Sequence, residues 1–540
     1  MKTNIITLSI ILLCSITFSQ SPYTNIQISN VSSPEEPSIC INPKNTNQLV
    51  AGANINSFYY SSDAGTTWTR GTLSSSYGVW GDPCIIVDTN QNFYFFHLST
   101  GSAPAYWIDR IVCQKSTNAG MTWSTPGSYT YFNPPRAQQD KEWAIVDETH
   151  GPRGNWIYCT WTQFDHYNSS ISTDSSNILF ARSADGGLSW VGVQRINKLA
   201  GDCIDEDLTV EGAVPAVGPN GEVYVAWAGP QGINNFKIFF DKSLDGGNTW
   251  LANDIVAASQ PGGWDLGSGG PGGTGVTGIQ RANGLPITCC DISNSPYRGY
   301  IYINYLDSAG VKDRDVKVVR STDGGNTWSA PIRVNNDAAG KEQFLTWMTI
   351  DRITGIIYIV FYDRRNYTDH TTDVFLAKST NGGTSWINER ISSSSFLPNY
   401  NTFFGDYTNI TAHNGKVRPI WARLVSSAIS VYTAIIDFPN GIQQASNEIP
   451  SSFALYQNYP NPFNPVTKFK FDIPAGNSKQ IIQIKVYDLL GKEVAEIVNG
   501  SLAPGTYEYE WDASHLSSGV YFYKLISGNF EATKKLVLNK

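Results

Sequence analysis

Acidic and aromatic residues recur at one kind of place in this sequence, just ahead of short apolar runs that read as strands. They are Glu35-Glu36, Trp80-Gly81-Asp82, Asp140-Lys141-Glu142-Trp143, Glu206-Asp207 with Glu211, Glu342, and Gly405-Asp406-Tyr407; Trp347 lies just inside its run. Farther along the same units stand Asp165-His166-Tyr167, Asp307 and Asp363-Arg364-Arg365. Hydrolysis of a glycosidic bond needs a pair of carboxyl groups flanking the bond, with aromatic faces on which the sugar stacks. Arginine pairs can fork onto the carboxylate or sulfate of an anionic sugar. On this reading Asp140, Glu142, Glu211, Asp406 and Tyr407 form the acid, base and nucleophile pool. Asp82, Trp143, Trp347, Arg364 and Arg365 would then hold substrate. The competing reading is structural: a carboxylate at a strand start hydrogen-bonds nearby backbone and staples one sheet to the next.

Whether these residues meet depends on the elements that carry them. One octet occurs six times: SSDAGTTW at 61–68, STNAGMTW at 116–123, SADGGLSW at 183–190, SLDGGNTW at 243–250, STDGGNTW at 321–328 and STNGGTSW at 379–386. Its Asp or Asn can bond the backbone of a turn, its Gly can supply a positive φ, and its Trp returns to pack. A second pattern, an apolar strand, a turn and an aromatic strand, alternates with the octets at 36–54, 81–98, 142–164, 212–229, 286–307, 346–365 and 405–424. Together they make units of four strands in roughly 60 residues, the repeat of a β-propeller. Seven hairpins predict seven blades. The last lacks an octet, and 427–438 would supply its outer strands, with Gln27-Ile28-Ser29 closing the ring. In such a ring the inner-strand starts share one mouth and the octets lie on the opposite face.

The octet resembles the Asp-box (BNR repeat) of the sialidase superfamily over about residues 25–440. That resemblance implies the fold and a structural box rather than a catalytic one. Members that cleave sialic acid use three arginines, an acid/base Asp and a Tyr activated by a Glu. Glu211 falls about where the activating Glu would lie, and Tyr407 echoes the nucleophile in topology. The first inner strand, Glu35-Glu36-Pro37-Ser38-Ile39, has no arginine, and Val223-Tyr224-Val225-Ala226-Trp227 lacks the second. Classical exo-sialidase activity is therefore disfavoured. The expectation is a secreted or surface protein that acts on or binds polysaccharide or glycoconjugate, and, if it is an enzyme, a glycoside hydrolase. The alternative is a non-catalytic glycan-binding or adhesin-type protein.

The ends of the chain carry separate signals. Residues 1–19 read as a secretory signal peptide, with Lys2 ahead of an apolar run too short to span a bilayer. The ring occupies 20–440, a polar linker 441–452, and a small β-sandwich 453–540. The tail closely resembles the C-terminal sorting domain of the type IX secretion system of Bacteroidota. The matching pieces are NYPNPFNP at 458–465, VYDLLGKEV, Ser518-Gly519-Val520-Tyr521 and the basic end. The expected fold class is thus all-β, a seven-bladed propeller with six Asp-boxes and a sandwich tail, and the expected partners are a glycan and the secretion machinery.

Composition sets limits. Charged residues are 16% and aromatics 13% of 540, with a net charge of −8; nothing marks a nucleic-acid binder. After Cys14, seven cysteines remain, an odd number, read as buried thiols. No cofactor and no transmembrane anchor are expected. Asp202, Asp205 and Asp207 lie in an acidic loop that could ligate Ca²⁺ or simply be solvated. The glycine-rich run 261–278 reads as a mobile lid or spacer, too flexible to form a site.

Overall fold

The computed structural model describes residues 21, 23–100, 107–132, 137–310, 312–425, 428–438, 442–446, 448–475, 480–502, 504–513 and 516–540. The expected signal peptide lies outside them. Among the described residues the chain is all-β, without helix, so no helix is long and apolar enough to cross a membrane. The strands form four-stranded antiparallel sheets, seven before residue 438 and two after it.

Six of the seven take consecutive strands in order; the third, for example, runs Gln138–Val146, Ile157–Phe164, Ser176–Ser183, Val191–Arg195. The seventh joins Asn409–His413, Lys416–Val425 and Ala428–Asp437 to the N-terminal strand Thr24–Ser29, which pairs antiparallel with Ala428–Asp437. Its fourth strand therefore comes from the chain start, and 427–438 supplies one strand rather than a pair. The first strand of each sheet packs on the first strand of the next, and Asn409–His413 packs on Ser38–Ile41, so the sheets close in a ring. Apolar side chains fill the space between sheets. Trp161, Trp227 and Trp421 are fully buried there, each worth roughly 2–3 kcal/mol in transfer terms.

The octets occupy the turns between third and fourth strands. In the fourth sheet Asp245 Oδ1 accepts the N–H groups of Asn248 (3.0 Å) and Thr249 (2.9 Å) and the Ser243 hydroxyl (2.7 Å), while Oδ2 accepts the Thr249 hydroxyl (2.7 Å). These are the bonds the octet sequence predicts. The box also ties neighbouring sheets. Arg182 donates to the Gly246 carbonyl at 3.1 Å, and Lys242 to that of Gly324 at 2.6 Å. Trp250 meets Phe180, and Trp328 meets Phe240, edge-on at 5.0 Å.

The stretch expected as a linker contributes a strand, Ile442–Ser446, which pairs with Gly505–Asp512 of the tail. The tail's two sheets enclose their own core, including Phe469, Phe471, Ile484 and Tyr523. The seven cysteines among the described residues are free thiols; Cys84, Cys113, Cys159 and Cys203 are buried.

Candidate functional site

The inner strands begin with a repeated backbone device. Glu36 (φ 51°), Asp82 (φ 53°), Lys141 (φ 53°) and Leu345 (φ 46°) are held in the left-handed region, where Gly212 and Gly405 also lie. For a residue with a Cβ this costs about 1–3 kcal/mol and persists only where the surroundings enforce it. Pairing with the second strand slips at the same place, between Asp140 and Trp143, Glu211 and Val214, and Phe344 and Trp347. Such bulges re-aim side chains, and here they place strand-start residues of different sheets in one cavity.

That cavity holds about 620 Å³, in the range of small-molecule sites. Of the residues singled out in the sequence, Asp82, Asp140, Glu211 and Asp406 line it, with Glu36, Asp205 and Asp265 adding carboxylates. Glu142, Trp143, Trp347 and Tyr407 line a narrow recess that shares Asp82, Lys141 and Asp406 with it. Trp143 and Trp347 stand 4.2 Å apart by ring centroid, and Tyr407 closes the trio at 5.8 and 5.9 Å. An aromatic lane runs along another wall: Trp80 meets Trp107 at 6.2 Å, and Trp107 meets Tyr167 at 5.5 Å.

Two cations face the carboxylates. Arg281 grips Asp406 through Nε (3.0 Å) and Nη2, reaches Asp205 at 3.5 Å, and lies over Phe403 at 5.3 Å. The Tyr167 hydroxyl also donates to Asp205. Lys141 Nζ sits 4.4 Å from the Tyr407 ring with no hydrogen-bond partner. Glu36 accepts from the Asn54 amide and from the Asp406 N–H at 3.0 Å. Asn54 Oδ1 in turn accepts the Asp82 N–H at 2.8 Å. Asn54, Trp107, Trp264, Arg281 and Phe403 escaped the sequence reading. Arg281 had a usable signal, because it stands a few residues ahead of the fifth inner strand, Ile287–Cys290.

Several carboxyls here are poor at holding charge. Burial, then the charges of Asp82 and Asp205, push Asp140 up to about 8. Burial with neighbouring acid charge also raises Glu36, Glu142 and Glu211 well above the usual range, and lifts Glu35 to about 7. Glu211 lies against Asp205, a contact that favours its protonated form. Burial pulls the Lys141 ammonium down, but Asp406, Asp82, Glu36 and Glu211 outweigh it and the net shift is upward. Burial raises the Tyr407 phenol well above its ordinary value, before the charges of Asp82 and Glu36 add to this. Its hydroxyl has no partner, so no adjacent base activates it. At neutral pH the cavity can therefore offer protonated acids beside an arginine-held carboxylate.

Arg364 and Arg365 do not line the cavity. Arg364 is buried against Glu342, which also takes Arg314 Nη1 at 2.8 Å. Arg365 is spent on Asp363 (2.7 Å), Asn336 and Asn388. Both guanidiniums, read from the sequence as substrate-positioning groups, are paired within the fold. Arg314 and Arg364 also grip the glycine-rich run, donating to the carbonyls of Thr274 (2.6 Å) and Thr277 (2.7 Å). That run is a built wall rather than a loose lid. Trp264, Leu266 and Val276 are buried, and Trp264, Asp265, Gly267 and Ser268 face the cavity. A Cβ on Gly269 would come within 1.7 Å of the Val276 carbonyl; the glycine serves close backbone approach.

The acidic loop is divided as well. Asp205 faces the cavity, Asp207 accepts the Asp265 N–H at 2.7 Å, and Asp202 caps its own turn through Ile204 N–H. Among the described residues no group of three or more His, Cys, Asp or Glu is arranged to hold a metal ion.

Residues 457–539 match the family described as the secretion system C-terminal sorting domain. The protein is thereby marked for type IX secretion, to the outside or to attachment at the outer-membrane surface. No curated protein matches the chain. Among solved structures, similarity is found to an α-L-arabinofuranosidase of Fusarium graminearum in complex with an iminosugar inhibitor (10% identity, 66% of this chain and 92% of that one, TM-score 0.43). A PL25 ulvan lyase is similar at 13% identity, 78% and 96% coverage and TM-score 0.44. A Trypanosoma rangeli sialidase in complex with sialic acid is similar at 11% identity, 87% and 84% coverage and TM-score 0.40. At these values none assigns an activity to this chain.

Proposed function

We propose that the ring is a seven-bladed β-propeller whose axial cavity binds a glycan and hydrolyses a glycosidic bond, and that the two-sheet tail is a sandwich serving export. The reading rests on one observation: Asp140, raised to about 8 by burial and by Asp82 and Asp205, stands in the same cavity as Asp406, which Arg281 holds. Asp140 gives its proton to the departing glycosidic oxygen as the bond to the anomeric carbon breaks. Water adds to that carbon, and the proton it loses passes to the Asp406 carboxylate. Trp80 and Trp107 offer the faces on which a sugar ring stacks. Tyr407 belongs to the floor, supporting Trp143 and Trp347.

A chromogenic glycosidase panel combined with a glycan array tests this. Turnover on at least one substrate is expected, with Asp140→Asn losing it while keeping a wild-type melting transition. Absence of both binding and turnover across neutral, acidic and amino sugars removes the proposal. The arginine clamp on Asp406 favours a second reading, a glycan receptor without chemistry, and binding without turnover would select it.

A further inference from the structure

Taking the glycan reading as its base, we infer that the sugar this cavity accepts carries a free, protonated amine. The first ground is charge type. Glu36, Asp82, Asp140, Asp205, Glu211 and Asp406 face one space against only Lys141 and Arg281. Arg281 is already committed to Asp406 and Asp205. An ammonium entering there draws Glu36, Asp140 and Glu211 back towards their charged forms, whereas a carboxylate or sulfate would hold them protonated and meet acid oxygens on most sides.

The second ground is an unmet bond. Glu211 is 7% exposed, lines the cavity, and receives no donor at its buried Oε2. A buried carboxyl oxygen without a partner is costly to leave unmet, and burial beside Asp205 keeps Glu211 protonated until a cation reaches it. An ammonium brings three N–H donors and a charge, whereas a hydroxyl brings one donor and none. The third ground is what the molecule does with its own cation. Arg281 lies over the Phe403 ring at 5.3 Å, between two carboxylates. The open face of Trp80, 43% exposed beside Trp107, offers a further aromatic surface to a cation at the same mouth.

The probe pair is a glucosamine tetramer and its fully N-acetylated counterpart, titrated calorimetrically into the full chain at about pH 6, where an alkyl ammonium is charged. The amine form should bind about tenfold tighter or better, and the ratio should shrink as salt is raised. Glu211→Gln should reduce that ratio; should this variant fail to fold, Asp205→Asn gives the same readout from the adjoining carboxyl. Equal or tighter binding of the acetylated form overturns the amine inference and leaves the glycan reading standing. Failure of both tetramers together with every sugar on the array removes the glycan reading itself. Tighter binding of tetralysine than of the amine sugar overturns the saccharide assignment in favour of a basic peptide.

Discussion

The octet turns and the cavity mouth use the same side chain to opposite ends. At the turn, slight burial pushes Asp245 up, but hydrogen bonds from Thr249, Ser243 and Asn248 outweigh it and hold the carboxyl down at about 2. Asp323 is lowered by the equivalent donors of its own octet, Thr327, Ser321 and Asn326. At the mouth, Asp140 meets burial and like charge and rises to about 8. What separates them is burial first and donor supply second. A carboxylate ringed by turn N–H groups is part of the frame, whereas one left among other acids is poised to give up or take a proton.

The widest break in this comparison should be kinetic. Asp140→Asn should lower kcat by about 10²–10⁴-fold, while Asp245→Asn leaves kcat unchanged; equal losses would erase the distinction. Stability should divide the other way. Glu342→Ala strands two buried guanidiniums and should cost about 3–5 kcal/mol in denaturant titration, against about 1 kcal/mol for Asp245→Ala.

Next comes pH. The mouth binds more protons folded than unfolded between about pH 4 and 8, so its contribution to stability falls as pH rises through that window. The turn behaves inversely, gaining stability as pH rises from about 2 to 4. Melting scans of Asp140→Asn should therefore show a gain over the wild type that grows from about pH 5 to pH 8. A constant offset would place Asp140 among ordinary carboxyls. The smallest effect is at Trp80, where exchange for Ala should weaken sugar binding about fivefold without moving Tm.

Local rules were legible from sequence and distant partnerships were not. The octet's Ser, Asp, Gly and Thr bond within a few residues of one another, so six copies could be read as turns closing four-stranded units. The sorting tail was equally readable, because its motifs are contiguous. Arg364 and Arg365 looked available because their partners cannot be seen from their own stretch: Glu342 precedes them by two strands, and Thr277 lies 87 positions from Arg364. The same distance hid Arg281, whose aspartates lie ahead of the inner strands of other sheets. The glycine-rich run was misread for a related reason. Its order comes from two arginines donating into its carbonyls, and backbone carbonyls leave no mark in a sequence.

The pairing of Thr24–Ser29 with Ala428–Asp437 has a consequence for the order of events in the chain's life. The clasp joins segments about 400 positions apart, the kind of encounter that forms late and slowly. Both halves of the clasp lie upstream of the sorting tail. Cutting the chain after the clasp would release the tail and leave the ring latched, whereas removing Thr24–Ser29 would open it.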